Sequence, residues 1–409
     1  MALFFAFGFC TVLVDTLVPK LKAVFSLSYT EVMLTQFCYF LAYFLVSGPA
    51  GWLITKVGYL RGVTIGVLVM ALGCLLFTPA ADAGSYPAFL GALFILASGV
   101  TIVQVAANPL AATLGDPAKA HSRLTLAQAF NSVATMVGPL FGAALILSHV
   151  RTAPPRGLSP AMLGAFRRAE AQSLQAPFLG IAAVLLLLAL VCWSLRKRTP
   201  PAPRTEGGSL GRLLRNRRLM LGALSIFAYV GAEVAIGSAI ANYLMSPRVL
   251  GAAPQTAGSL VSVYWGLAMC GRFIGVLVLR KAPPGLVLAG CASGAALLAL
   301  TSALTAGPVA AAAILAVGLF NSIMFPTIFT LALEGLEQEA AQGSGLICQA
   351  IVGGAVVPLA FGFAADHVGI NLALFVPVAC YAWIIGYGIL AFTGAFAARK
   401  PARLGEALV

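Results

Sequence analysis

Charge is what this chain of 409 residues has least of: only 9% of its side chains are Asp, Glu, Lys or Arg. Globular chains carry roughly a quarter charged residues, so a water-facing surface could not be built from this composition. That excludes a soluble enzyme, a nucleic-acid-binding domain and a disordered chain. Strand-like alternation is also missing, since the apolar runs are continuous, and a membrane β-barrel is excluded with it. The eight cysteines (Cys10, Cys38, Cys74, Cys192, Cys270, Cys291, Cys348, Cys380) sit singly in apolar stretches without CxxC spacing. Neither a zinc site nor a disulfide framework is indicated, and no metal or other cofactor is expected. Met1 opens directly into an apolar segment that Asp15 interrupts, without a basic leader, so no cleavable signal is expected.

What is present is apolar length: 60% of residues are hydrophobic. About 20 mostly apolar residues cross the hydrocarbon core, and charge-poor windows of that kind fall at 1–18, 32–55, 62–81, 86–113, 123–148, 174–195, 219–245, 255–279, 284–305, 308–333, 343–365 and 370–397. The expectation is an all-α membrane protein of twelve spans. Lysine and arginine choose its orientation. With both termini inside, Lys56, Arg61, Lys119, Arg123, the basic stretch Arg196–Arg218, Arg280, Lys281, Arg399, Lys400 and Arg403 all fall on the cytoplasmic side. The net charge of +13 is then a topology signal, not a nucleic-acid one. Localisation follows as multi-pass in the plasma (inner) membrane, in contact with the bilayer and with no nucleic-acid partner.

The stretch 196–218, with its Thr199-Pro200-Pro201-Ala202-Pro203 core, reads as a cytoplasmic linker between a bundle at 1–195 and a second at 219–398, followed by a short tail at 399–409. The halves echo each other: Asp15 and Glu233, Arg61 and Arg280, Pro109 and Pro326, Gln128 and Gln349, Pro139 and Pro358 are separated by near-constant offsets. Two six-helix bundles related by a pseudo-twofold axis are expected, an arrangement used by secondary transporters that hold substrate at mid-membrane.

Of the twelve acids, only Asp15 and Glu233 fall well inside spans. A carboxylate at the bilayer centre costs at least ~2.5 kcal/mol and commonly marks an ion pathway. Both are candidates for coupling to a cation. Amides form the second set: Gln104 and Asn108, Gln128 and Asn131, then Asn321 and Gln349. The first two pairs are spaced to share a helix face. An amide both donates and accepts, which suits a ligand covered with hydroxyls, although such groups also join helices to one another. Aromatics such as Phe7, Tyr39, Tyr43 and Tyr264 could stack on an apolar ring face, and Tyr229 lies one turn before Glu233. Arg272 is expected to brace its helix or to pair with Glu334, Glu337 or Glu339, while Gly138-Pro139 and Gly142 read as packing residues.

Two motifs, Gln104-Val-Ala-Ala-Asn-Pro109 and Ser122-Arg-Leu-Thr-Leu-Ala-Gln-Ala-Phe-Asn-Ser132, resemble the fucose–galactose–glucose symporter family of the major facilitator superfamily. So do Asp15 with Leu17 and Pro19, and the stretch from Gly58-Tyr59 to Phe77-Thr78-Pro79-Ala80-Ala81. The general superfamily signature is degenerate here, with Thr55-Lys56 where an acid is usual. The resemblance implies alternating-access symport of a hexose, such as glucose or galactose, by a monomer. It places Asp15 at the span-one aspartate of proton-coupled uptake, and Gln128 and Asn131 at sugar contacts. Gln104 stands where the fucose branch has a glutamate, as in the glucose/galactose branch. Proton coupling is expected, with a sodium-coupled carrier or an exporter of drugs or metabolites on the same fold as the alternatives.

Overall fold

The computed structural model describes residues 1–9, 29–83, 85–142, 172, 175–197, 210–336 and 338–396, and among them every regular element is helical. In chain order these are α1 (2–9), α2 (Tyr29–Val57), α3 (Tyr59–Ala83), α4 (Tyr86–Thr113), α5 (Ala120–Gly142), α6 (Gln175–Leu195), α7 (Arg217–Met245), α8 (Pro254–Val278), α9 (Pro284–Leu304), α10 (Gly307–Leu333), α11 (Ala340–Val368) and α12 (Ile370–Phe392). Each falls on one of the twelve expected windows. Among the described residues, ten are long and apolar enough to cross a membrane. The linker carries an element the sequence reading lacked, a short helix at Leu210–Arg215. Its Leu213 is fully buried and Arg212 reaches Glu339 at 3.6 Å.

The helices pack chiefly within two sets of six. In the first, α3 lies against α4 and α6, and α2 against α4; in the second, α9 lies against α10 and α12, and α7 against α11 and α12. Where α6 faces outward it presents Val184, Leu187 and Leu190, as a lipid-facing helix must. Trp52 and Trp193 carry the charges of Lys56 (3.6 Å from the ring centroid) and Arg196 (4.1 Å). Aromatic and basic groups of this kind collect at a membrane interface, and both pairs lie at the linker end.

The two sets meet along α2–α11 and α5–α8. Backbone approach on the first seam is close: a Cβ on Gly51 would lie 2.9 Å from the Ala341 carbonyl, and one on Gly345 2.7 Å from that of Ser47. Proline supplies further cross-links. Pro109 inside α4 has no N–H to donate four residues back, which frees the Val105 carbonyl, and Ser344 of α11 donates to it at 2.8 Å. Ser122 of α5 donates at 2.9 Å to the carbonyl of Val276, in the last turn of α8. His121 bonds Thr330 (2.5 Å) of α10 and Glu334 (3.1 Å) just past its end. These ties join the halves at the linker end.

The seam predicts a contrast between two glycines. Gly345→Val forces overpacking worth about 1–3 kcal/mol, so its melting temperature in detergent falls well below wild type. Gly290→Ala, where a Cβ meets nothing within 4 Å, melts within a degree or two of wild type. Equal melting of both variants would contradict the close seam.

Candidate functional site

Between the two halves lies a cavity of about 220 Å³. Its volume is below the ~300 Å³ at which drug-sized pockets begin, so it has room for one small solute. The first half supplies Gln104 from α4 and Gln128, Asn131 and Thr135 from α5; the second supplies Tyr229 and Glu233 from α7 and Arg272 from α8. Phe7, Tyr39, Phe40, Tyr43 and Phe325 add ring surface. The composition matches what a polar ring compound requires: amides for its hydroxyls and aromatic faces for its carbon skeleton.

Each amide has a definable state. Gln104 keeps its side-chain oxygen buried with no partner among the described residues. An unmet buried acceptor costs about 1–3 kcal/mol, so this atom is positioned for a ligand or water. Gln128 donates to the Oδ1 of Asn108 at 3.4 Å, and Asn131 donates to the Phe4 carbonyl at 3.3 Å, which pins α1 against α5. Gly8 of α1 touches the same amide, since a Cβ there would sit 2.6 Å from its Nδ2.

The acid is similarly placed. Tyr229, one helical turn before Glu233, donates its phenol to the carboxylate Oε1 at 2.7 Å, and Arg272 lines the same cavity. Of the two roles expected for Arg272, the structure shows the bracing of its helix and not an acid pair: Glu334 pairs with Arg218 and His121, Glu339 with Arg212, and Glu337 lies outside the described residues. Arg272 lines the cavity and bonds the Ser322 carbonyl at 3.0 Å. An arginine in mid-span is itself a functional signal, and that is the clue by which the sequence could have included it.

Other candidates stand apart from this lining. Asn108 is fully buried behind Gln128. Asn321 is buried in the second half, donating to the Tyr264 phenol at 3.0 Å. Gln349 donates to the Phe44 carbonyl at 3.1 Å and so ties α11 to α2. Asp15 lies outside the described residues. No cluster of metal-ligating side chains occurs among the described residues.

A polar cavity held between two sets of membrane-spanning helices is the architecture of a membrane transporter. The sequence matches the Major Facilitator Superfamily over residues 1–358. It is 49% identical over 393 residues to a glucose/galactose transporter of Brucella abortus, covering 95% of this chain and 92% of that one. It is 35% identical over 397 residues to the L-fucose-proton symporter of Escherichia coli, covering 94% and 90%. The fold superposes with a TM-score of 0.86 on the crystal structure of a Major Facilitator Superfamily transporter, FucP, in the outward conformation, at 33% identity over 95% of this chain and 96% of that one. The chain belongs to the Major Facilitator Superfamily, in the group that holds these glucose/galactose and fucose carriers.

The Tyr229–Glu233 contact is measurable. A hydrogen bond contributes about 0.5–1.5 kcal/mol, so a double-mutant cycle of Tyr229→Phe and Glu233→Leu on reversible unfolding in detergent should show coupling of about 1 kcal/mol. Strictly additive losses would contradict the contact.

Proposed function

We propose that this chain takes up a hexose, D-glucose or D-galactose, together with a proton, by alternating access of its central cavity to the two sides of the membrane. The observation that carries this reading is the cavity itself: three amides and several ring faces surround a space for one small polar solute, and a half-buried, hydrogen-bonded acid opens onto it. The name of the Brucella relative supplies the hexose, and that of the fucose symporter supplies the proton.

Gln104, Gln128 and Asn131 hold sugar hydroxyls. Tyr39, Tyr43 and Phe325 pack on the ring. Asp15 and Glu233 load and release the coupling ion. Asn108 supports Gln128, while Asn321 and Gln349 fix the helices around the site. A proton fits this chamber better than sodium. A bound proton simply neutralises a carboxylate, whereas a metal cation would sit near the Arg272 guanidinium and would need several oxygen ligands. In this reading the monomer sits in the inner membrane with the linker and both termini cytoplasmic, which puts the Lys56 and Arg196 interface pairs on the inner face. The bundles at 1–195 and 219–398 rock about the cavity, joined by the linker 196–218. Coupling requires that bound sugar and bound proton favour the same reoriented state.

Proteoliposomes test this directly. An inward proton gradient should drive accumulation of labelled D-glucose or D-galactose, and a sodium gradient without a pH difference should not. Sodium-driven accumulation would replace the proton, and competition by lipophilic amines with none by hexoses would replace uptake by export. Asp15→Asn should abolish gradient-driven accumulation while retaining exchange of labelled for unlabelled sugar, and full accumulation would remove Asp15 from coupling. Gln128→Ala should raise KM by roughly tenfold, the size of one or two lost hydrogen bonds, with a smaller change in maximal rate.

A further inference from the structure

Arg272 stands out by what it grips. It belongs to α8 of the second half, yet its Nη1 donates across the seam to the Gln128 carbonyl at 3.4 Å and to the Ser132 hydroxyl, both on α5 of the first half. Its Nε donates within its own half, to the Ser322 carbonyl at 3.0 Å. That acceptor exists because Pro326 lies four residues further along α10 and has no N–H to return to it; the helix breaks there, between the segments Gly307–Asn321 and Met324–Leu333. Gly271 lets the arginine come so close, since a Cβ there would lie 2.4 Å from the Leu319 carbonyl. No carboxylate lies within ion-pair distance of the guanidinium among the described residues. Its hydrogen bonds therefore go to neutral acceptors on two elements that must move apart if the halves rock.

We infer that Arg272 is a mid-membrane latch: a positioning residue that holds the Gln128–Ser132 turn of α5 onto the second half in the state closed at the linker end, and whose release accompanies reorientation. Because Gln128 presents its side chain to the cavity while its carbonyl is held by Arg272, a sugar that shifts this turn acts on the latch directly. The planar guanidinium suits the role: rigid donors reach two acceptors on one side and one on the other, which an ammonium cannot do from one position. The inference rests on the alternating-access reading above, and its test separates the two.

The test is the distance between spin labels at Lys119→Cys and Lys281→Cys, at the linker ends of opposite halves, in full-length protein whose native cysteines have been replaced with retention of sugar exchange. Wild type without sugar should populate mainly the short distance. Arg272→Gln should raise the long-distance population on the order of tenfold, the size of losing a hydrogen bond to a charged group. Ser132→Ala, a far milder change, should shift it the same way but less, and the double variant no further than Arg272→Gln alone. Arg272→Lys, which keeps the charge and loses the fork, should recover only part of the wild-type ratio. Unchanged populations in Arg272→Gln, additive shifts in the double variant, or full recovery by lysine would each overturn the latch. A sugar-responsive distance that Arg272→Gln leaves unmoved would overturn the latch alone. One fixed distance under every condition of pH and sugar would overturn alternating access and the latch together.

Discussion

Hydrocarbon cannot solvate a polar group, and among the described residues the placement of the mid-membrane polar side chains follows from that. A mid-membrane acid, amide or arginine must face another polar group or enclosed water, because the cost of presenting it to lipid is several kcal/mol. Glu233 meets Tyr229, Gln128 meets Asn108, Asn321 meets Tyr264, and Arg272 meets carbonyl and hydroxyl oxygens. One acceptor left unmet, the Gln104 oxygen, belongs to the lining of the cavity between the two halves; others, such as the Asn371 amide and the Tyr381 hydroxyl, do not line it.

Proline extends this logic to the backbone. Pro109 and Pro326, which the internal repeat pairs with each other, each free a carbonyl inside a membrane helix. In both cases the freed oxygen is captured by a side chain of another helix: Ser344 on the Val105 carbonyl across the halves, and Arg272 on that of Ser322 within the second half. Defects that would destabilise an isolated helix here become docking points, as neighbouring helices in a membrane allow.

The span architecture was legible because each window of about 20 apolar residues is a strong, local signal, and the structure places a helix on all twelve. The cavity residues Gln104, Gln128, Asn131, Tyr229 and Glu233 were legible because a polar group in an apolar run is rare enough to stand out. Which amides face the chamber was not: spacing placed Asn108 beside Gln104 on one face, but only tertiary packing sets it behind Gln128. Gln349 echoes Gln128 in the repeat, yet it bonds the Phe44 backbone and joins two helices. The place of Arg272 in the cavity lining was missed, because its partners are backbone and hydroxyl oxygens on distant elements, which no charge pattern in the sequence advertises. The linker helix Leu210–Arg215 escaped for a similar reason, since it is too short to carry a periodicity.

The central claim is that sugar and proton are bound as one event in a chamber between the halves. Titration calorimetry of the purified protein with D-glucose or D-galactose, repeated near neutral pH in two buffers of different ionisation enthalpy, tests it most directly. The account predicts binding heats that differ between the buffers by the amount for net proton uptake, with the difference diminished in Asp15→Asn. Identical heats in both buffers, with sugar binding intact, would contradict it.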